Sequence, residues 1–266
     1  MDFYKVIGDL EELRFFYDNI LEKPLDGESV YMCHAARIKK LTDEERKDFG
    51  SAKATMFHSE TSKKTSNEYT WEDFLGLVAK FETNKLAYTT TNKKPYPDKC
   101  LASYIYMNPC SEMKCAQSVL ERINDINRDI LFSMTNSGNT KDAILKLNAI
   151  TSFAKTCHAQ NPARKVWVDF DIDFEFPYGI DSCADPIMEA ADNFYGRNNA
   201  WVVRTSGGYH VLVKKSAIKS NPAEFTRMVE ERLSAFRLSE IKINGNVMIP
   251  CPGTYQYENV VRVVKW

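Results

Sequence analysis

No CxxC pair, no apolar run approaching bilayer length and no G-x-x-x-x-G-K-[ST] phosphate loop occurs in this chain of 266 residues. The missing phosphate loop excludes an attached helicase or ATPase of that type. The missing apolar run excludes a spanning helix, and the opening MDFYKVIGDLEELRFF lacks the basic-then-apolar order of a signal peptide. A soluble intracellular protein with no membrane partner is the expectation. Seven cysteines (33, 100, 110, 115, 157, 183, 251) are an odd number, which favours reduced, partly buried thiols over a disulfide framework. Cys110, Cys115, Cys157 and His158 could gather on zinc, although their spacing is unlike the usual knuckles. Charge of one sign is lacking too: 35 basic against 36 acidic residues leave −1. Any contact with a polyanion must come from local clusters such as Arg37-Lys39-Lys40, Lys63-Lys64, Lys93-Lys94 or Lys214-Lys215. Low-complexity tracts and internal repeats are absent, and 44% hydrophobic content suits one large domain or two lobes.

What is present is a strand with one acidic side. In VWVDFDIDFEF (166–176), Val166, Val168, Phe170, Ile172, Phe174 and Phe176 alternate with Trp167, Asp169, Asp171, Asp173 and Glu175. Carboxylates two residues apart on a strand lie roughly 7 Å apart. At an effective dielectric near 20 each neighbouring pair repels by about 2 kcal/mol. Such a row is tolerated when solvated, met by Lys or Arg, or neutralised by divalent cations.

Around it the second half of the chain has a regular order. A strand over 165–174 precedes a helix opening at Asp185-Pro186, an N-cap with proline in the first helical position. Strands at 200–205 and 209–214 are joined through Ser206-Gly207-Gly208, and a second helix opens at Asn221-Pro222-x-Glu224. That helix buries Phe225, Met228, Val229, Leu233 and Phe236 on one face. A strand near Glu240–Ile243 and a strand-like VVRVVKW close the chain. The order β-α-β-β-α-β builds a four-stranded antiparallel sheet with two helices on one face, an RRM-like module over 159–266. Residues 1–158 read as a mixed α/β lobe. It has a helix at 8–22, a strand at 28–36 and a capping box at Thr42-x-x-Glu45. A polar loop at 60–70, a helix from Trp71 to about Lys85 and a strand at Leu101–Met107 follow. A helical run from Met113 to about Ala159 is broken at Asn136–Asn139.

RTSGGYH (204–210) places a serine hydroxyl, two glycines, an imidazole and a guanidinium in one turn. Beside an acidic row these groups would cradle a polyphosphate. Carboxylates with phosphate donors suit two-metal phosphoryl transfer, and oxygen ligands favour Mg²⁺ or Mn²⁺ over zinc.

VWVDFDID followed by RTSGGYH resembles the archaeo-eukaryotic primase superfamily. Its signature is hydrophobic-Asp-hydrophobic-Asp, then S-x-H or S-G-G-x-H, then an acid ahead of a further strand. The likeness covers about residues 160–266. It implies an α+β fold with an RRM-like catalytic module on an N-terminal lobe, and a primase or primase-polymerase working on single-stranded DNA with NTPs or dNTPs. A partner helicase or accessory primase subunit is implied as well. By the resemblance Asp169, Asp171 and Glu240 are the metal ligands, and Ser206 and His210 hold the nucleotide phosphates. Arg204, Lys214 and Lys215 are added from position alone. Pro252-Gly253-Thr254 takes the place of the family's P-G-[ST]. Pro250 stands where the family has arginine, so Arg262 or Lys265 would have to supply that contact. The alternatives are a glycosyltransferase using a D-x-D motif and a catalytically inactive nucleic-acid-binding relative.

Overall fold

The computed structural model describes residues 2–49, 55–89, 94–136, 150, 153–154, 156–175, 180–219, 221–245 and 247–265. The chain is α+β, built on two sheets in which every strand pair among the described residues is antiparallel. β1 (Glu28–Ala36), β2 (Thr55–Ser62), β3 (Leu101–Tyr106) and β4 (Cys110–Ser111) belong to the first sheet. The second is assembled from β5 (Trp167–Phe174), β6 (Ala200–Arg204), β7 (Gly208–Lys214) and β8 (Leu238–Asn244). The chain then returns. β9 (Met248–Pro250) and β10 (Tyr255–Gln256) pair with β3, and β11 (Asn259–Val260) pairs with β10. β12 (Arg262–Val264) crosses back to the edge of the second sheet, whose order is β12-β6-β7-β5-β8.

The first sheet is therefore completed by residues from beyond 159. The closing VVRVVKW is not one strand: Asn259-Val260 and Arg262–Val264 serve different sheets. The turn between them is held by Val261 N–H on Thr254 O (2.8–3.0 Å bonds from Gly253 and Val261 bracket it). The expected four-stranded sheet gains β12 as a fifth strand, paired antiparallel with β6, and the buried Glu12 accepts from the Val263 N–H at 2.5 Å.

Period-two alternation in the second sheet separates two environments. Phe170 and Ile172 of β5, Val202 of β6 and Val211 and Val213 of β7 face the helices Ala184–Tyr195 and Pro222–Arg232. The other face is split along its length. Trp167, Val203, Leu212 and Val263 pack into the core of the first lobe beside Leu13, Phe16 and Ile105. The acidic half of the strand lies beyond that contact, at the mouth of a cleft between the two sheets. Apolar packing fixes one end of the face and leaves the charged end open.

Local sequence signals compete with these contacts. Asn221 caps the second helix as expected, accepting from the Ala223 N–H at 3.1 Å with Pro222 in the first turn. The first helix instead starts at Ala184, with Cys183 as an N-cap that makes no side-chain bond. A 3-10 turn over Ile180–Cys183 winds the chain before Asp185, and the buried Tyr209 hydroxyl pins it by donating to Ile180 O at 2.7 Å. Pro186 still falls in the first turn, where no intrahelical acceptor is lost. The helix from Trp71 ends at Ala79, and the supposed loop at 60–70 begins inside β2, which takes Glu60–Ser62. The break expected at Ser137–Asn139 lies outside the described residues, as does Phe176.

His34 on β1 gives a pH prediction. It is buried, with Nδ1 2.9 Å from Ser103 Oγ, and burial, then His58, pushes its pKa down to about 4. The fold favours the neutral ring, so the contribution is full above about pH 6.5 and is lost as pH falls towards 4. It amounts to roughly 3 kcal/mol at most. Urea midpoints should fall between pH 7 and about pH 5, with His34→Gln flattening that slope. An unchanged slope in the variant would remove His34 as the cause.

Candidate functional site

β5 lies between β7 and β8, and the register fixes who meets the acids. Asp169 stands opposite Leu212 and Asn244, Asp171 opposite His210 and Lys242, and Asp173 opposite Gly208 and Glu240. All three aspartates share the helix-free face, but their surroundings differ. Asp169 is fully buried. His210 Nδ1 lies 3.1 Å from both of its carboxylate oxygens, and Asn244 Nδ2 donates to Oδ2 at 3.4 Å. Since a carboxylate only accepts, Nδ1 carries a proton here and Nε2 is the nitrogen left for other partners. Burial opposes charge on His210, yet Asp169, by charge and hydrogen bond, and then Asp171 and Asp173 outweigh it, and its pKa is raised. Asp171 has an oxygen 3.6 Å from the same Nδ1. Its pKa is raised by burial, with His210 pulling it back and the like charges of Asp173 and Asp169 adding to the rise.

The turn after β6 is closed by its own side chain. Thr205 Oγ1 accepts from Gly208 N at 3.2 Å and Gly207 N at 3.4 Å, and Ser206 N donates to Gln256 Oε1 at 2.8 Å. Those backbone N–H groups are thus engaged within the protein. What remains is the Ser206 hydroxyl, whose oxygen is buried with no hydrogen-bond partner among the described residues. Neither Gly207 nor Gly208 has a left-handed φ. Gly208 is required for a different reason: a Cβ there would sit 1.9 Å from Ile172 O.

Asp171, Asp173, Ser206, Gly207 and His210 line one side of a cavity of about 230 Å³. Across it stand Arg37, Lys40, Tyr104, Gln256 and Tyr257 from the first sheet and its return strands. Arg37 donates to the Tyr104 hydroxyl at 3.4 Å. Burial disfavours its charge, but Tyr104, Tyr257 and Asp173 more than compensate and raise its pKa. The Lys40 ammonium lies 4.9 Å from the Tyr257 ring centre. Tyr257 is the chain's non-glycine residue with positive φ (62°) among those described, at the tip of a two-residue hairpin where Gln256 pairs with Asn259. Glycine is favoured at that position, so a tyrosine there holds its ring in the cleft against a backbone cost of about 1 kcal/mol.

Several residues expected at the site lie apart from this cavity. Glu240 is across from Asp173 on the edge strand β8, half-exposed and paired with Lys242 at 2.5 Å. Arg204 turns to Asp181 at 2.9 Å and lies over the Tyr209 ring. It lines an adjoining cavity of about 490 Å³ with Arg262, one that shares Thr205 and Ser206 with the cleft. Lys214 ends β7 opposite Trp167, about 13 Å along the strand from His210. Lys215 opens a 3-10 turn, its N–H on Val166 O. Pro252-Gly253-Thr254 is a buried turn packed on the helix Leu10–Asn19, with Thr254 Oγ1 donating to Cys251 O at 2.7 Å. Arg262 pairs with Asp9 at 3.1 Å and Lys265 with Glu12 at 3.7 Å.

Oxygen donors of this kind suit a hard divalent cation: Asp171 and Asp173 face the cleft from alternate positions of one strand, Asp169 lies behind them, and burial raises the Asp171 pKa. Among the described residues the group of three metal-ligating side chains within 4.8 Å of one another is elsewhere, at Cys115, Cys157 and His158. Arg37 and Lys40 belong to a basic cluster visible in the sequence. Tyr104, Gln256 and Tyr257 carry no motif. Among the described residues no helix is long and apolar enough to cross a membrane. Comparison with protein families, with curated proteins and with solved structures finds no match to this chain.

Proposed function

We propose that the protein is a template-dependent nucleotidyltransferase of the primase type, making or extending primers from nucleoside triphosphates on single-stranded DNA with Mg²⁺ or Mn²⁺. The observation that carries this reading is the cleft itself. Asp171 and Asp173 share one cavity with Ser206, His210 and the cationic side chains of Arg37 and Lys40. When bound, the divalent ions would supply charge to activate a 3′-hydroxyl and to neutralise departing pyrophosphate.

The chain's own groups do the rest. Asp171 and Asp173 would hold the cations, with Asp169 behind them. Asp169 fixes the His210 ring through Nδ1, so that Nε2 can donate to a phosphate oxygen. Ser206 Oγ, otherwise unpartnered, donates beside it. Arg37 and Lys40 draw the triphosphate and the template backbone to the opposite wall. Alignment of the 3′-oxygen with the α-phosphate then needs no covalent enzyme intermediate. Glu240 serves as a third ligand only after releasing Lys242. A D-x-D glycosyltransferase would place its motif after a parallel β-α-β unit, whereas the strand pairs described here are antiparallel.

Incubation with single-stranded DNA, labelled nucleotides and Mn²⁺ should give products of template-dependent length on a denaturing gel. Nucleotide-sugar hydrolysis without incorporation would reject the reading. Tyr257→Gly tests the far wall. It removes the ring while relieving the left-handed φ, so the melting temperature should move by only a few degrees. The nucleotide KM should rise about tenfold, equivalent to about 1.4 kcal/mol of lost binding. An unaltered KM would take Tyr257 out of the site.

A further inference from the structure

We propose that Cys115, Cys157 and His158 bind a structural zinc ion, with Cys110 as the fourth ligand. The ligand atoms of the first three, two sulfurs and an imidazole nitrogen, all lie within 4.8 Å of one another. Cys110, Cys115 and Cys157 are each buried; Cys110 stands outside the 4.8 Å group and would have to close on the ion by turning its side chain to complete the set. His158 Nδ1 is 3.8 Å from Cys157 Sγ, while Nε2 on the far side of the ring is 3.6 Å from Glu112 Oε1. Metal-bound imidazoles commonly have a carboxylate on the side of the outer ring nitrogen, and Glu112 stands on that side here. The ring plane is fixed as well, stacked on Tyr31 at 5.7 Å with 6° between planes.

Sulfur and imidazole donors select zinc, in contrast to the oxygen row of the cleft. Four protein ligands leave no open position, so the ion is structural. Its place in the fold suggests what it steadies. Cys110 is on β4, Cys115 in the first turn of the helix Glu112–Asn136, and Cys157-His158 in helical residues 156–160. Just beyond them, Asn161 O accepts from Ser111 N and Pro109 O from Ala163 N, both at 2.8 Å. Asn108 Oδ1 then accepts from Val166 N at 2.7 Å and Trp167 N at 2.9 Å. The ion would anchor the segment that delivers β5, and with it the aspartate row, to the first lobe.

Protein expressed in zinc-supplemented medium and purified without chelating resin should carry about one zinc per chain by plasma mass spectrometry. Cobalt exchange should give a thiolate charge-transfer band. Cys157→Ala and His158→Ala should each lower the zinc content about tenfold or more. Wild-type protein with less than about a tenth of an equivalent, or a Cys115–Cys157 disulfide found by mass spectrometry, would overturn the assignment. Should the variants be insoluble, titrating wild-type thiols with a mercurial decides. Zinc released in step with the thiols supports the site, and thiols that react with no zinc released refute it.

Discussion

Asp171→Asn is expected to lower nucleotide incorporation about 1000-fold while leaving the melting temperature of the metal-free protein unchanged or higher. The two halves have one cause. Asp171 faces the cleft, its pKa raised by burial and by Asp173 and Asp169, so the ionised carboxylate is a cost to the apo fold. Asparagine keeps the shape and removes that charge. A cation held by the carboxylate would supply several kcal/mol of transition-state charge stabilisation, and about 4 kcal/mol corresponds to the expected loss. Mn²⁺ affinity measured calorimetrically should fall with activity. Asp169→Asn should behave differently, since its carboxylate is buried against His210 and Asn244. An amide there can present N–H to Nδ1 and turn the ring, which predicts a raised nucleotide KM and a displaced pH profile with cation affinity less affected. Full activity in Asp171→Asn would end the nucleotidyltransferase proposal.

How far the sequence led depends on the range of the contacts. Alternation in VWVDFDIDFEF told which side chains share a face, because period two is a local property and the contrast between Asp and Phe is unambiguous. The Asn221-Pro222 helix start was local in the same way. The sequence did not reveal that Asp169 is covered while Asp171 and Asp173 are open. That division follows from Trp167 and Leu212 packing against a lobe whose core residues, Leu13, Phe16 and Ile105 among them, are distant in sequence. The far wall was illegible for the same reason: Arg37, Tyr104 and Tyr257 meet through pairing of β1, β3 and β10. Glu240 was chosen by the resemblance alone, and the register sets it opposite Asp173. Its engagement by Lys242 reflects an exposed edge strand, where a side chain two residues away is the nearest counter-charge.

The two adjacent glycines give the sharpest separation of fold from function. Gly208→Ala should destabilise the protein by about 3 kcal/mol or more, lowering the melting temperature by roughly 10 °C. The new methyl would lie 1.9 Å from Ile172 O and 3.0 Å from Ile172 C, and these are backbone atoms of the interior strand β5 that cannot swing aside. Relief would have to come from parting β7 from β5 where Gly208 pairs with Asp173, so the end of the strand bearing the acids would be displaced too. Gly207→Ala meets nothing closer than Asp173 Oδ1 at 3.8 Å and needs no left-handed φ. Its stability should stay within about 0.5 kcal/mol of wild type. The methyl nevertheless enters the cleft next to the carboxylate row, so nucleotide and Mn²⁺ affinity should fall in a protein that melts normally. If Gly208→Ala melted like wild type, the close approach of β7 to β5 would be wrong. If Gly207→Ala bound Mn²⁺ and nucleotide like wild type, the turn would be a plain hairpin with no ligand against it.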